Sequence, residues 1–143
     1  MTDFHFHHPI EVRYGDLDPQ GHVNNARYLT YLEQARIAYI RRLGLWESDS
    51  FLDVGIILAD AQITFQKPIH FHDRIQVGVR ISRLGNKSLT MQYQIAGVED
   101  GEIFASASTV LVTYDYRRQA TIPIPENWRT AIQRYESLDT ILP

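Results

Sequence analysis

One segment constrains the fold of this chain more than any other. It has the spacing of a long helix and carries apolar residues on most of its sides. Apolar residues recur at helical intervals from residue 28 to residue 43. Gly44 follows two arginines and provides a stop signal. Asn24 or Asn25 is suited to cap the first turn. Because a helix this apolar is usually buried, other elements must cover most of its surface.

Strand patterns supply the elements that would cover this helix. Alternating apolar and polar residues predict one strand before the helix and four after it. The predicted strands span residues 4–14, 59–65, 75–81, 89–95 and 103–114. In the first strand, the alternation places Tyr14 on the same buried face as Ile10. The last strand is apolar on both faces, which is typical of a central position in a sheet.

The connections between the later strands have the pattern of hairpins. Gly85-Asn86 and Asp100-Gly101 are hairpin signals, and a short amphipathic segment follows at 126–137. A sheet connected in this way must curl to bury one long helix, which predicts a two-layer α+β domain. The free edges of such a sheet favour pairing with another copy, so we expect a homodimer or a homotetramer.

Composition excludes several classes of function. The chain has 143 residues, which fit a single domain over 1–143, and it contains no cysteine. Disulfides, thiolate nucleophiles and cysteine metal sites are therefore excluded. The net charge of −3 argues against a nucleic-acid partner. Because the sequence shows neither a signal-peptide pattern nor an apolar run of membrane length, we expect a cytoplasmic protein without a membrane partner.

The histidines that share strand faces do not predict a metal site. His5 and His7 lie two residues apart, as do His70 and His72, and this spacing allows two ligands to one metal ion. A metal site of the usual kind needs a third protein ligand, and the pattern offers none. We therefore expect no metal.

The polar stretch D-L-D-P-Q-G-H-V-N-N, from Asp16 to Asn25, stands directly before the apolar helix. Asp18-Pro19-Gln20-Gly21 has the chemistry of a turn. Asp16 is expected to cap this turn or to pair with Arg13. Unpaired N–H groups and the positive end of the helix dipole collect at a helix N-terminus, so a negative charge is stabilised there. This order of residues indicates a reaction at the start of the helix.

The same stretch, continued to Leu29 and followed by Glu33 and Arg36, resembles the signature of hotdog-fold acyl-CoA thioesterases. It is most similar to the 4-hydroxybenzoyl-CoA thioesterase-like enzymes and to the long-chain acyl-CoA thioesterases with G-H-V-N-N motifs. The segment from Ile63 to Val77 also resembles strands of that family. The resemblance implies a hotdog fold, in which an antiparallel curled sheet wraps around one long central helix. It also implies dimers paired at their sheet edges, with active sites at the subunit interface.

The activity implied by the resemblance is hydrolysis of an acyl-CoA thioester to a free carboxylic acid and CoA, without a cofactor. Carried over by position, Asp18 is the catalytic carboxylate, the backbone N–H of Asn25 is the oxyanion donor, and Gly21 shapes the loop. His22 would hydrogen-bond the substrate or a water. Gln20 stands where related acyl-ACP thioesterases carry Asn, and it is counted among the substrate-binding candidates. Asp18 either attacks the carbonyl carbon or deprotonates a water, and both routes stay open.

The phosphates of CoA require basic residues near the site. Arg83, Lys87 and Ser88 flank the Gly85-Asn86 hairpin and form the predicted CoA-binding group, although a solvated loop is the simpler interpretation of each one singly. Glu33 and Arg36, at helical positions i and i+3, are predicted to form an ion pair.

Two other functions remain as alternatives to acyl-CoA hydrolysis. An acyl-ACP thioesterase would act on a carrier protein, and competition by free CoA would discriminate the two enzymes. A non-catalytic acyl-CoA-binding hotdog protein would have lost the acid, whereas Asp18 is present.

Overall fold

The computed structural model describes residues 4–137 as a mixture of one long helix, strands and a short second helix. The elements are β1 (Phe6–Ile10), α1 (Asn25–Arg42), β2 (Ile56–Phe65), β3 (Ile75–Leu84), β4 (Ser88–Gly97), β5 (Ile103–Asp115), β6 (Ala120–Thr121) and α2 (Glu126–Glu136). Two 3-10 turns, Tyr14–Asp16 and Phe51–Asp53, lie between them. The predicted α+β class is confirmed. None of the helices in this part of the chain is both long and apolar enough to cross a membrane.

The strands form one sheet with the order β1-β3-β4-β5-β2, and β6 pairs with β5. β1 runs antiparallel to β3, with Phe6 opposite Val79 and Ile10 opposite Ile75. Strands β3, β4 and β5 follow one another through short loops, which is the connection that antiparallel neighbours allow. β5 has a neighbour on each side, so the central position predicted for the strand at 103–114 is confirmed. β1 and β2 stand at the two ends of the order.

The chain divides into two compact units. The first unit contains the chain up to Tyr39 together with Ile63–Val79 and Tyr93–Ala107. The second contains Ile40–Gln62, Arg80–Gln92 and the chain from Ser108 onward. A single domain over 1–143 stays a prediction.

The core of the first unit is formed by one side of α1 and the strand segments of that unit. The ring of Phe6 meets the ring of Tyr39 edge-on, with 5.6 Å between the ring centroids. The buried side chains of this unit include Ile10, Val23, Tyr28, Tyr31, Leu32, Tyr39, Ile69, Ile75, Val77, Val79, Tyr93, Ile95 and Phe104. Each large aliphatic side chain buried here contributes about 1.5–3 kcal/mol to folding, so this core accounts for much of the stability of the unit.

The core of the second unit is closed by α2. Trp128 and Ile132 lie on its buried face. The carboxylate of Glu136 accepts a hydrogen bond from the backbone N–H of Ile81, with 3.1 Å between the atoms. The strand side chains buried in this unit are Ile56, Ile81, Leu84, Leu89, Met91, Thr109, Leu111 and Thr113.

The ends of α1 follow the local signals in the sequence. The side chain of Asn24 accepts a hydrogen bond from the backbone N–H of Ala26 at 2.9 Å, so Asn24 is the N-cap. At the other end, Gly44 has a φ of +72°, which glycine tolerates without strain. The N–H of Leu45 donates to the carbonyl of Ile40, and the N–H of Gly44 donates to that of Arg41, both at 3.0 Å. This is the Schellman pattern of helix termination.

The first strand and the first hairpin differ from the prediction. The strand predicted over 4–14 ends at Ile10, and Tyr14, expected on its buried face, is 83% exposed. The chain turns here because the carboxylate of Asp16 accepts a hydrogen bond from the N–H of Arg13 at 3.0 Å. In the second case, the hairpin predicted at Gly85-Asn86 has a connection of residues 85–87.

The predicted ion pair between Glu33 and Arg36 was wrong. Among the described residues these two side chains form no ion pair, because Arg36 turns into the core of the first unit. There its Nε donates to the hydroxyl of Tyr93 at 3.0 Å. Glu33 remains exposed.

Candidate active site

A tight hairpin directly before α1 carries most of the predicted site residues. The N–H of Asp18 donates to the carbonyl of His22, and the N–H of Gly21 donates to the carbonyl of Asp18, both at 3.0 Å. Pro19 presets the first bend of this turn. Gly21 has a φ of +87°, a conformation that L side chains rarely adopt. The hairpin therefore needs the Pro and Gly of the motif for its backbone path.

Backbone hydrogen bonds hold both ends of this hairpin. The N–H of Val23 donates to the carbonyl of Ile69, and the N–H of Asn24 donates to the carbonyl of Asp16, each at 2.8 Å. His22 and His70 form an isolated antiparallel bridge. The hairpin is thus fixed to the segment before β3 at one point and closed on itself at the start of α1.

The carboxylate of Asp18 is held inside this hairpin and points away from bulk solvent. Only 16% of the side chain is exposed, and its Oδ1 lies 3.8 Å from Nδ1 of His22. The backbone N–H of Gln20 donates to Oδ1 at 3.0 Å. With its amide nitrogen facing the carboxylate, the Gln20 side chain donates to Oδ1 at 2.9 Å and to Oδ2 at 3.2 Å. Gln20 contacts the acid in this structure, and its predicted contact with substrate stays a prediction.

A cavity of about 210 Å³ opens beside the N-terminus of α1. It is lined by His22, Asn25, Tyr28, Phe65, Gln66, Lys67 and Pro68. Asn25 is the first residue of α1, so its N–H has no acceptor within the helix. Asp18 is not among the lining residues. The structure thus brings His22 and Asn25 to one cavity, and it places the acid next to His22.

Two aromatic rings form the apolar part of this cavity. The rings of Tyr28 and Phe65 meet edge-on, with 4.9 Å between their centroids and an interplanar angle of 84°. Burial raises the pKa of the Tyr28 hydroxyl, and a hydrogen bond with the backbone of Ile69 lowers it by a smaller amount. Tyr28 therefore stays uncharged at neutral pH.

A positive charge stands at the same cavity. The ammonium of Lys67 lies 2.6 Å from the carboxylate of Glu102, and this hydrogen bond raises the pKa of Lys67. Lys67 is thus protonated at neutral pH, with part of its charge balanced by Glu102. Both residues belong to the first unit.

Sequence reasoning assigned no site role to five of the residues that line the cavity, namely Tyr28, Phe65, Gln66, Lys67 and Pro68. Tyr28 was assigned to the core, and Phe65 and Lys67 were assigned no role. No local pattern in the sequence indicates that these residues lie beside the start of α1. Arg83, Lys87 and Ser88 lie in the second unit, where the Lys87 ammonium donates to the Thr121 hydroxyl at 3.4 Å. Their contact with CoA stays a prediction.

The described residues offer no cluster for a metal ion. Within residues 4–137, no three histidine, aspartate or glutamate side chains converge as ligands. His70 instead engages Asp73, whose carboxylate accepts a hydrogen bond from the His70 backbone N–H at 2.7 Å.

Comparison with known proteins gives one family. Residues 12–132 match the family model described as the thioesterase-like superfamily. The long-chain acyl-CoA thioesterase FadM of Escherichia coli is 28% identical over 130 residues, which are 87% of this chain and 95% of FadM. The 1,4-dihydroxy-2-naphthoyl-CoA hydrolase of Synechococcus elongatus is 26% identical over 136 residues, covering 93% of this chain and 97% of that protein.

Solved structures agree with this result. A thioesterase from Thermus thermophilus, crystallised with coenzyme A and Zn, is 34% identical to this chain. The match covers 98% of this chain and all of the other, with a TM-score of 0.85. A 1,4-dihydroxy-2-naphthoyl-CoA thioesterase from Synechocystis has a TM-score of 0.80 at 25% identity, covering 92% of this chain and 97% of its own. The hotdog fold predicted from the motif is confirmed by these neighbours.

Proposed function

Because the chain belongs to the thioesterase-like superfamily, and is thereby a thioester hydrolase, we propose that it cleaves acyl-CoA thioesters at the N-terminus of α1. One observation carries the proposal. His22 lies 3.8 Å from the carboxylate of Asp18 and also lines the cavity that Asn25 shares. An acid and a free helix N-terminus are therefore linked through a single side chain.

The oxyanion is assigned to the start of α1. A thioester carbonyl becomes an oxyanion when it is attacked, and the backbone N–H of Asn25 is a donor without a helical acceptor. One donor of this kind contributes about 3 kcal/mol to the transition state.

Asp18 is proposed to act as a general base on a water. The carboxylate stands next to His22 but does not line the cavity, which leaves space between the acid and a bound carbonyl. Attack by a water in that space fits this geometry better than direct attack by the carboxylate. Hydrolysis in ¹⁸O-water under single-turnover conditions tests this choice. Label that enters the Asp18 carboxylate would show direct attack and exclude the water route.

The decisive experiment compares two aspartates with matched local structure. Each of Asp18 and Asp115 accepts a hydrogen bond from the backbone N–H two residues later, at 3.0 Å. Release of CoA from a panel of aliphatic and aromatic acyl-CoA thioesters is followed with a thiol reagent. Asp18→Asn should lower kcat at least about a hundredfold, the low end for a general base, whereas Asp115→Asn should leave it unchanged. A folded Asp18→Asn variant with normal turnover would contradict the assignment.

The CoA group is proposed to be bound by the basic hairpin of residues 83–88. Arg83 and Lys87 are both exposed, so their side chains are accessible to phosphates. We expect Arg83→Ala and Lys87→Ala to raise KM for an acyl-CoA while leaving KM for the matching acyl-pantetheine unchanged. If KM rises equally for both substrates, this hairpin does not bind the CoA phosphates.

A second copy of the chain is proposed to pair at β2, which ends the strand order. Three large apolar side chains of this strand are exposed, namely Ile57, Leu58 and Phe65. An exposed apolar edge strand invites pairing with another strand, which favours a homodimer or a homotetramer. Mass measurement in solution, with Ile57→Lys as the disrupting variant, tests this edge. A monomer in the unmodified protein would contradict it.

A further inference from the structure

Asp16 closes the loop that carries the proposed base. Its backbone carbonyl accepts the N–H of Asn24, the N-cap residue of α1, at 2.8 Å. Residues 16–24 therefore form a closed loop that begins at Asp16 and ends at the helix. Asp18 lies within this loop, and Asn25 follows directly after it.

The carboxylate of Asp16 ties the same loop to the body of α1. Its Oδ2 accepts the hydroxyl of Tyr31 at 2.7 Å and the backbone N–H of Arg13 at 3.0 Å. Its Oδ1 lies 3.9 Å from Nε of Arg27, also on α1, and the side chain is only 13% exposed. These contacts leave the carboxylate occupied by the protein and little room for it to act on a substrate.

Tyr31 is a rigid partner for this carboxylate. It is almost fully buried, and its ring lies beside that of Tyr28, a cavity residue, with 6.4 Å between the centroids. Burial raises the pKa of its hydroxyl, and the hydrogen bond to Asp16 raises it further. The hydroxyl is therefore a permanent donor at any pH at which the enzyme would work.

We propose that Asp16 and Tyr31 are positioning residues for thioester hydrolysis, which hold the 16–24 loop so that the Asp18 carboxylate stays in place relative to the Asn25 N–H. This inference rests on the proposed function. A positioning role predicts a larger loss of catalytic rate than a purely structural role does. A displacement of about 1 Å in a reacting group lowers a rate about a hundredfold, whereas one hydrogen bond is a small part of the folding energy.

The test compares the loss of two buried tyrosine hydroxyls in the first unit. Tyr31→Phe removes the donor to Asp16, and Tyr93→Phe removes the acceptor of Arg36. Each variant loses one hydrogen bond to a charged group, the Asp16 carboxylate or the Arg36 guanidinium, so the two should lose similar thermal stability. We expect Tyr31→Phe to lower kcat about tenfold or more with KM within about twofold, because alignment rather than binding is lost. Tyr93→Phe should leave both constants unchanged.

A second comparison shows whether the hydroxyl acts through Asp18. In an Asp18→Asn background the alignment of the acid no longer matters, so adding Tyr31→Phe should reduce the remaining rate little further. Asp16→Asn, which keeps the size of the side chain, should lower kcat in the same direction as Tyr31→Phe. If Tyr31→Phe reduces the rate by the same factor in both backgrounds, the inference is overturned.

The outcomes separate the inference from the function on which it rests. A wild-type chain that hydrolyses no thioester would contradict the proposed function itself. A wild-type chain that is active, with a Tyr31→Phe variant as active as Tyr93→Phe, would contradict the positioning role alone.

Discussion

Nδ1 of His22 lies 3.8 Å from Oδ1 of Asp18, and the same imidazole lines the cavity at the start of α1. His22 therefore stands between the proposed base and the space for the thioester. We therefore expect loss of the His22 imidazole to lower kcat less than loss of the Asp18 carboxylate does.

His22→Ala should lower kcat about tenfold, because one hydrogen bond of about 1.4 kcal/mol to the transition state is removed while Asp18 remains. His70→Ala is the matched control, since its ring lies 6.5 Å from that of His22 but outside the cavity lining. Steady-state kinetics on one good acyl-CoA substrate measures both. If both variants lower kcat equally, His22 has no specific role in catalysis.

Gly21→Ala should destabilise the protein by about 1–2 kcal/mol and lower kcat, because an L side chain is strained at a φ of +87°. An added Cβ meets no atom within 4 Å at Gly21 or at Gly15, but only Gly21 has a positive φ. Gly15→Ala is therefore the control, and it should be neutral in chemical denaturation and in turnover. A stable Gly21→Ala variant would show that the loop relaxes without cost.

Phe65→Ala should enlarge the cavity and shift the substrate preference toward bulkier acyl groups, because its ring forms one wall beside Tyr28. Small acyl groups should lose affinity, because they no longer have this ring to contact. Phe71→Ala serves as the control, since Phe71 is similarly exposed and lies outside this cavity. If the relative kcat/KM values across a panel of acyl-CoA substrates do not change, Phe65 does not determine substrate specificity.

Asn24→Ala should lower the free energy of unfolding by about 1 kcal/mol, because the N-cap acceptor of the Ala26 N–H is lost. Asn25→Ala provides a neighbouring control of the same residue type, whose side chain is not the cap. Urea denaturation followed by circular dichroism should show a clear shift of the midpoint only for the first variant. Similar midpoints would mean that another group caps the helix.

Arg36→Ala should destabilise the protein by about 2–3 kcal/mol, because it removes a buried side chain and the donor to the Tyr93 hydroxyl. Arg36→Met keeps most of the apolar volume and removes the desolvated charge, so its cost should be smaller. Thermal and chemical unfolding of both variants measures the difference. Equal destabilisation would show that the hydrogen bond, rather than the packing, dominates at this position.

Both ends of the long helix could be predicted from the sequence because they depend on contacts a few residues apart. Asn24 bonds to Ala26, and Gly44 ends the helix through its own backbone conformation. The strands β3 to β5 were found for a similar reason, since alternation records which face of each of these strands is buried. The motif from Asp16 to Asn25 identified the family, because its order of residues is long and specific.

Only the tertiary structure decided which distant residues meet. Arg36 bonds to Tyr93, 57 residues away, rather than to its helical neighbour Glu33, because burial of the guanidinium requires an acceptor within the core. Phe65 and Lys67 reach the helix start through strand packing, which no local pattern encodes. Periodicity and capping are set by adjacent residues along the chain. The composition of a cavity is set by the packing of segments far apart in sequence, and so it appears only in three dimensions.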